Sequence, residues 1–181
     1  MLIRLGTFCI QSGALQCPIL RCSILSAMSQ ASSEGDPEYR RRFRLARLTA
    51  RWAVTMTQVR IRQAIADKSY PRWHFVTFDG KGGGESRGVV DLIAVRKDHA
   101  MPVTGTKRGD AFQIVLIQVK GGAAAKPTAE DSARLRIVAR RHGACGILLA
   151  TWTKGRAARF YSLHKRLPQW CEVTDLRTVF G

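Results

Sequence analysis

Hydrophobic and polar positions along the chain follow a helical period in some stretches and a strand period in others. From Pro37 to Lys68 no glycine or further proline interrupts a run of good helix formers, which predicts one long helix. Leu45, Leu48, Trp52, Met56 and Val59 recur on it at helical spacing, with Val54, Ile61 and Ile65 on a neighbouring line. Ser69-Tyr70-Pro71 ends it. Trp73 to Phe78 is rich in strand formers, and Asp79 to Arg87, with glycines at 80, 82, 83 and 84, reads as a flexible turn. Val89 to Val95 is almost continuously apolar, with a single carboxylate, Asp91, in its middle. After a loop holding Pro102, Gly105 and Gly109 comes Phe112 to Lys120, apolar on both faces like a strand inside a covered sheet. Gly121-Gly122 stops it. Thr128 is placed to N-cap a second helix, with Asp131 at the capping-box position where Glu or Gln is more usual. Leu135, Val138 and Ala139 are its expected buried face and Gly143 its end. Ala144 to Trp152 reads as another apolar strand, and Arg159 to His164 alternates like an edge strand.

The order helix, strand, strand, strand, helix, strand predicts a mixed α/β domain over residues 36–166, with a helical crossover before the fourth strand. Residues 167–181 match no pattern and are set apart as a C-terminal tail. Residues 1–35 are excluded from the fold as a disordered leader. Gln11 and Ser12 break the only candidate signal-peptide core, the lack of acids before Glu34 also suits a transit peptide, and Met28 is a possible true start.

Charge narrows the partner. Thirty Lys+Arg against thirteen Asp+Glu leave a net +17, while 45% apolar residues suffice for a core. No apolar stretch is long enough to span a membrane. Such an excess of positive charge is relieved by a polyanion, and nucleic acid is the first candidate. Eight arginines fall between positions 40 and 62 with no acid among them, which forgoes the usual i,i+4 pairing with Glu. A second basic set, including Arg134 and Arg141, lies on and after the later helix. Both sets read as phosphate contacts, Arg60 and Arg62 on the first helix among them. The five cysteines form no C-x-x-C pair and predict reduced thiols in an intracellular, cytoplasmic protein associated with the nucleoid.

Two anomalies point to chemistry. A carboxylate amid Val, Leu and Ile is costly unless paired or ligating a metal, which singles out Asp91. Gln118 and Lys120, two residues apart at the end of an apolar strand, project from one face. If their strands are neighbours, the three side chains meet, and a carboxylate with carbonyl oxygens suits a hard cation such as Mg²⁺ or Mn²⁺. The plainer alternatives are a structural Asp91–Lys120 pair, Gln118 as a strand-end cap and Lys120 reaching to solvent. The glycine cluster at 80–84 lacks the spacing and the Ser/Thr of a phosphate loop.

Val90-Asp91-Leu92-Ile93, a spacer, and then Ile117-Gln118-Val119-Lys120-Gly121 resembles the PD-(D/E)xK nuclease superfamily, with its restriction-endonuclease-like fold. Within it, Phe75 to Val95 is similar to archaeal-type Holliday junction resolvases, and a glutamine at the second position is similar to Mrr-like members. The resemblance covers roughly residues 55–163. It implies an αβββαβ core, a central mixed sheet flanked by helices, and metal-dependent DNA endonuclease activity, junction-selective if resolvase-like. It also implies roles: Asp91, Gln118 and the Val119 carbonyl as metal ligands, and Lys120 as the catalytic lysine. Many members add a glutamate from the first helix; here Gln58 is the nearest equivalent, and Glu85 in the glycine loop is a possible replacement carboxylate. Lys81 and Arg87 of that loop would meet DNA phosphates, and a homodimer is expected of a resolvase. Two amides where carboxylates are usual weaken cation attraction, so the alternative is a DNA-binding module that kept the fold and lost catalysis. A third possibility is an RNA- or ribosome-associated basic protein.

Overall fold

The computed structural model describes residues 36–66, 72–78, 88–99, 105, 107–164 and 169–181. The expectations for the leader and for Lys81, Glu85 and Arg87 lie outside the described residues. The chain divides into two units at Phe43/Arg44, and residues 36–43 are the described part of the first. In the first, residues 36–43 open helix α1 (Pro37–Ile65), where Glu38 accepts from Arg42 Nε at 3.0 Å.

The second unit is built on six strands: β1 (His74–Thr77), β2 (Leu92–Asp98), β3 (Ala111–Gly121), β4 (Gly146–Trp152), β5 (Arg159–Leu163) and β6 (Trp170–Val173). They lie in sequence order in one sheet, every neighbouring pair antiparallel except β3 and β4. That parallel pair needs a crossover, supplied by helix α2 (Ala129–Arg141). A short helix, α3 (Arg177–Phe180), ends the chain's described course. The fold class is therefore α/β with a mixed sheet and flanking helices. Among the described residues no helix is long and apolar enough to cross a membrane.

Strand alternation sends β3 side chains to two cores. Val115 and Ile117 join Leu92, Ala94, Leu148, Ala150 and Phe160 on the face covered by Ile61 and Ile65 of α1 and by Phe180. On the other face Leu135 of α2 packs with Val89, Leu163 and the half-buried Val138 and Ile147. The capping box at the start of α2 forms in both directions: Thr128 Oγ1 accepts from Asp131 N–H, and Asp131 Oδ2 accepts from Thr128 N–H. Gly143, at φ +61°, follows its C-cap in a conformation that glycine adopts without strain.

Four expectations need correction. Of the two apolar lines on α1 the neighbouring one supplies the buried Ile61 and Ile65, and Ala53 and Thr57 continue that buried face in place of the Leu45–Val59 line. Leu45, Leu48 and Trp52 face outward, Trp52 at 57% exposure. Close approach selects the smaller face: a Cβ on Gly121 would lie 3.1 Å from both Ala53 Cβ and the Thr49 carbonyl oxygen, so only small residues fit where α1 crosses the end of β3. β2 starts three residues later than the apolar run and continues through Arg96, Lys97 and Asp98, because the eleven-residue β3 offers ladder partners that far. Asp91 thus stands one residue before the strand. β5 is an interior strand, since β6 covers its outer edge. Residues 169–181, set apart as a tail, complete the sheet and the core. Trp73 Nε1 and Arg96 Nη1 donate to the Phe180 carbonyl, Arg96 Nη2 donates to that of Gly181, and the Arg96 guanidinium lies 4.6 Å from the Trp73 ring centre.

Candidate functional site

Where β3 outruns β2, the ladder leaves Asp91 facing the end of β3. Asp91 N–H donates to the Ile117 carbonyl at 3.1 Å, and Asp91 Oδ2 accepts from Val119 N–H at 2.7 Å. A charge-assisted bond to backbone is among the stronger hydrogen bonds, and it holds the half-buried carboxylate against the strand. On an antiparallel strand a residue's N–H and C=O point to the same edge, so the Val119 carbonyl turns toward Asp91 as well.

Asp91, Gln118, Val119 and Lys120 line one cavity of about 560 Å³, with Gly121 to Ala124 on one side and Ala46, Arg47, Thr49, Ala50, Arg51 and Val54 of α1 on another. Asp91, Gln118 and Lys120 are thus neighbours along one cavity lining. Gln118 is 5% exposed, and its Oε1 is buried with no hydrogen-bond partner among the described residues. An acceptor left so costs about 1–3 kcal/mol, and such a group calls for an explanation.

Asp91, Gln118 and Val119 bring a carboxylate, an amide oxygen and a backbone carbonyl to the residues that line the cavity, oxygens of the kind Mg²⁺ and Mn²⁺ take. The residues fit the ion, with less negative charge than is usual: among the described residues no group of three or more His, Cys, Asp and Glu could hold a metal. Among the described residues that line it, Lys120, Arg47 and Arg51 stand against one carboxylate, that of Asp91.

The remaining candidates fall elsewhere. Gln58 is half-buried on α1 and does not line the cavity. Arg60 and Arg62 are exposed further along α1, Arg62 over the Phe75 ring at 5.2 Å. Arg134 and Arg141 are exposed on α2, across the sheet, with Arg134 3.8 Å from Asp131. Arg60 and Arg62 of α1 therefore lie on the opposite side of the sheet from Arg134 and Arg141 of α2. Sequence reasoning counted Arg47 and Arg51 among its eight phosphate-contact arginines without setting them at this site, and it passed over Phe78, which the strand pattern absorbed. Gly121 had been read only as a strand stop, and its closeness to Thr49 and Ala53 is what brings α1 to the site.

No family model matches the chain, and no curated protein matches it in sequence. Among solved structures it is similar to Hjc of Archaeoglobus fulgidus, a Holliday junction resolvase from an archaeal hyperthermophile, at 18% identity and a TM-score of 0.33, over 62% of this chain and 83% of that one. The α/β assignment rests on the sheet itself, whose elements follow the αβββαβ order from α1 to β4 before β5 and β6 extend it.

Proposed function

We propose that the chain is a nuclease that hydrolyses phosphodiester bonds of DNA, with a divalent cation held by Asp91, Gln118 and the Val119 carbonyl and with Lys120 beside the scissile phosphate. The observation that carries this reading is that Asp91, its carboxylate fixed by Val119 N–H, lines one cavity with Gln118, Val119 and Lys120. When bound, Mg²⁺ or Mn²⁺ would neutralise phosphate charge and polarise a phosphoryl oxygen. The chain's own groups do the rest. Val119 N–H holds the Asp91 carboxylate in place. The Lys120 ammonium stabilises charge that grows on the non-bridging oxygens as a water attacks phosphorus in line and the opposite P–O ester bond opens. Arg47 and Arg51 neutralise flanking phosphates, which positions the strand without reading its bases.

One observation favours a second reading, a DNA-binding module without catalysis: among the described residues lining the cavity, three positive side chains stand against one carboxylate. Incubating the protein with supercoiled, linear and four-way-junction DNA plus Mg²⁺ or Mn²⁺ separates the two. Metal-dependent cleavage that disappears in Asp91→Ala and Lys120→Ala is expected, together with a calorimetric Mn²⁺ heat lost in Asp91→Ala. Cleavage indifferent to both substitutions refutes the assignment of these residues; DNA binding with neither metal heat nor cutting leaves the second reading. Paired nicks across a junction would require two sites, hence a dimer by light scattering.

A further inference from the structure

Phe78 is the aromatic residue in the lining of the cavity that holds Asp91, Gln118 and Lys120. Its backbone N–H donates to the Asp91 carbonyl at 3.5 Å, so the chain beneath the ring is tied to the residue that carries the carboxylate. The ring itself is 42% exposed. A lone exposed apolar residue is ordinary on a protein surface. This one stands in a cavity whose charged lining is Arg47, Arg51, Lys120 and Asp91, so a ligand there must offer an apolar face to the ring and negative charge to the cations. A nucleotide does both: bases stack on aromatic rings while basic side chains follow the backbone.

Building on the reading that DNA occupies this cavity, we propose that Phe78 is a stacking platform for an unpaired base and a specificity-determining residue, so that the substrate class is DNA with an unstacked nucleotide at a flap, gap or branch. In a continuous duplex each base face is covered by its neighbours, and the ring has nothing to stack on unless a base is first extruded, which costs energy. At a discontinuity that cost is already met. A cavity of about 560 Å³ is of the size that takes one small ligand, which suits a single splayed nucleotide.

The test compares two DNAs of matched sequence without divalent metal, so that nothing is cut: an intact duplex and a short unpaired flap with 2-aminopurine at the branch. The native chain is expected to prefer the flap and to quench the 2-aminopurine. Phe78→Ala should lose about five- to one-hundred-fold in flap affinity, the span of a single base–aromatic stack, with duplex affinity unchanged and the quench gone. Phe78→Leu, which keeps apolar bulk without a π face, should lose the preference too, whereas Phe78→Tyr should keep it. No flap preference in the native chain, a quench that survives Phe78→Ala, or equal weakening on both DNAs would overturn the proposal. Failure of the nuclease reading shows differently: a chain that never cuts and still prefers the flap through Phe78 keeps the platform and loses the hydrolysis.

Discussion

Replacing Gln118 by methionine isolates the unusual atom of the site. Gln118 lies opposite Leu149 in the β3–β4 register and on the same strand face as the fully buried Leu116, so its side chain points into apolar surroundings. Its Oε1 has no partner among the described residues, and removing such an acceptor recovers about 1–3 kcal/mol. Methionine matches glutamine in length and adapts to irregular gaps, so little packing is lost. Any hydrogen bond of the amide nitrogen is lost as well, at about 1 kcal/mol, which leaves a net gain of about 0–2 kcal/mol. For a domain of this size that raises Tm by up to about 8 °C, measurable by calorimetry in EDTA. Mn²⁺ is the second arm. At one-hundred-fold excess over Kd a ligand specific for the folded state stabilises it by about 2.7 kcal/mol, so the native chain should melt higher with Mn²⁺ and the variant should not. The variant is thus expected to be at least as stable without metal and blind to it. A variant that melts lower in EDTA shows that the glutamine was satisfied, and one that keeps the full Mn²⁺ response removes Gln118 from the ligand set.

Gly121→Val should lower the urea midpoint by an amount equivalent to about 1–3 kcal/mol, because its side chain meets the Thr49 carbonyl and Ala53 and must push α1 off β3. Phe180→Ala deletes a wholly buried ring that stands edge-on to Trp73 at 5.2 Å, and should cost about 3–5 kcal/mol, enough to unfold much of a marginally stable domain in a denaturation assay. Thr128→Ala removes one side of the α2 capping box and should cost about 1 kcal/mol by the same assay, with Thr128→Ser restoring most of it.

The parts that sequence patterning anticipated are those decided by neighbours in the chain. β3 is apolar on both faces and is covered on both. Thr128 and Asp131 form their cap because both partners sit within one turn. The misjudged parts were decided from a distance. Arg96, Lys97 and Asp98 look like loop residues by hydropathy, yet they are strand because β3 supplies ladder partners at Gln113, Phe112 and Ala111. Leu45, Leu48 and Trp52 form the better apolar line by size, and the sheet takes the Ala53–Thr57 line instead, because Gly121 brings the helix too close for anything large. The last thirteen residues show no strong period of their own, and they are ordered by the edge of β5 and by the donors of Trp73 and Arg96.

The amino-acid order alone was enough to set the succession of helix and strands, the excess of positive charge, and the suspicion attached to Asp91, Gln118 and Lys120, since each depends on residue type and short-range period. Only the folded sheet decided that Asp91 and Gln118, twenty-seven positions apart, line one cavity, and that Arg47, Arg51 and Phe78 line it with them. Strand register and helix approach distance do this, and both are set by contacts between segments remote in sequence, which no local pattern encodes.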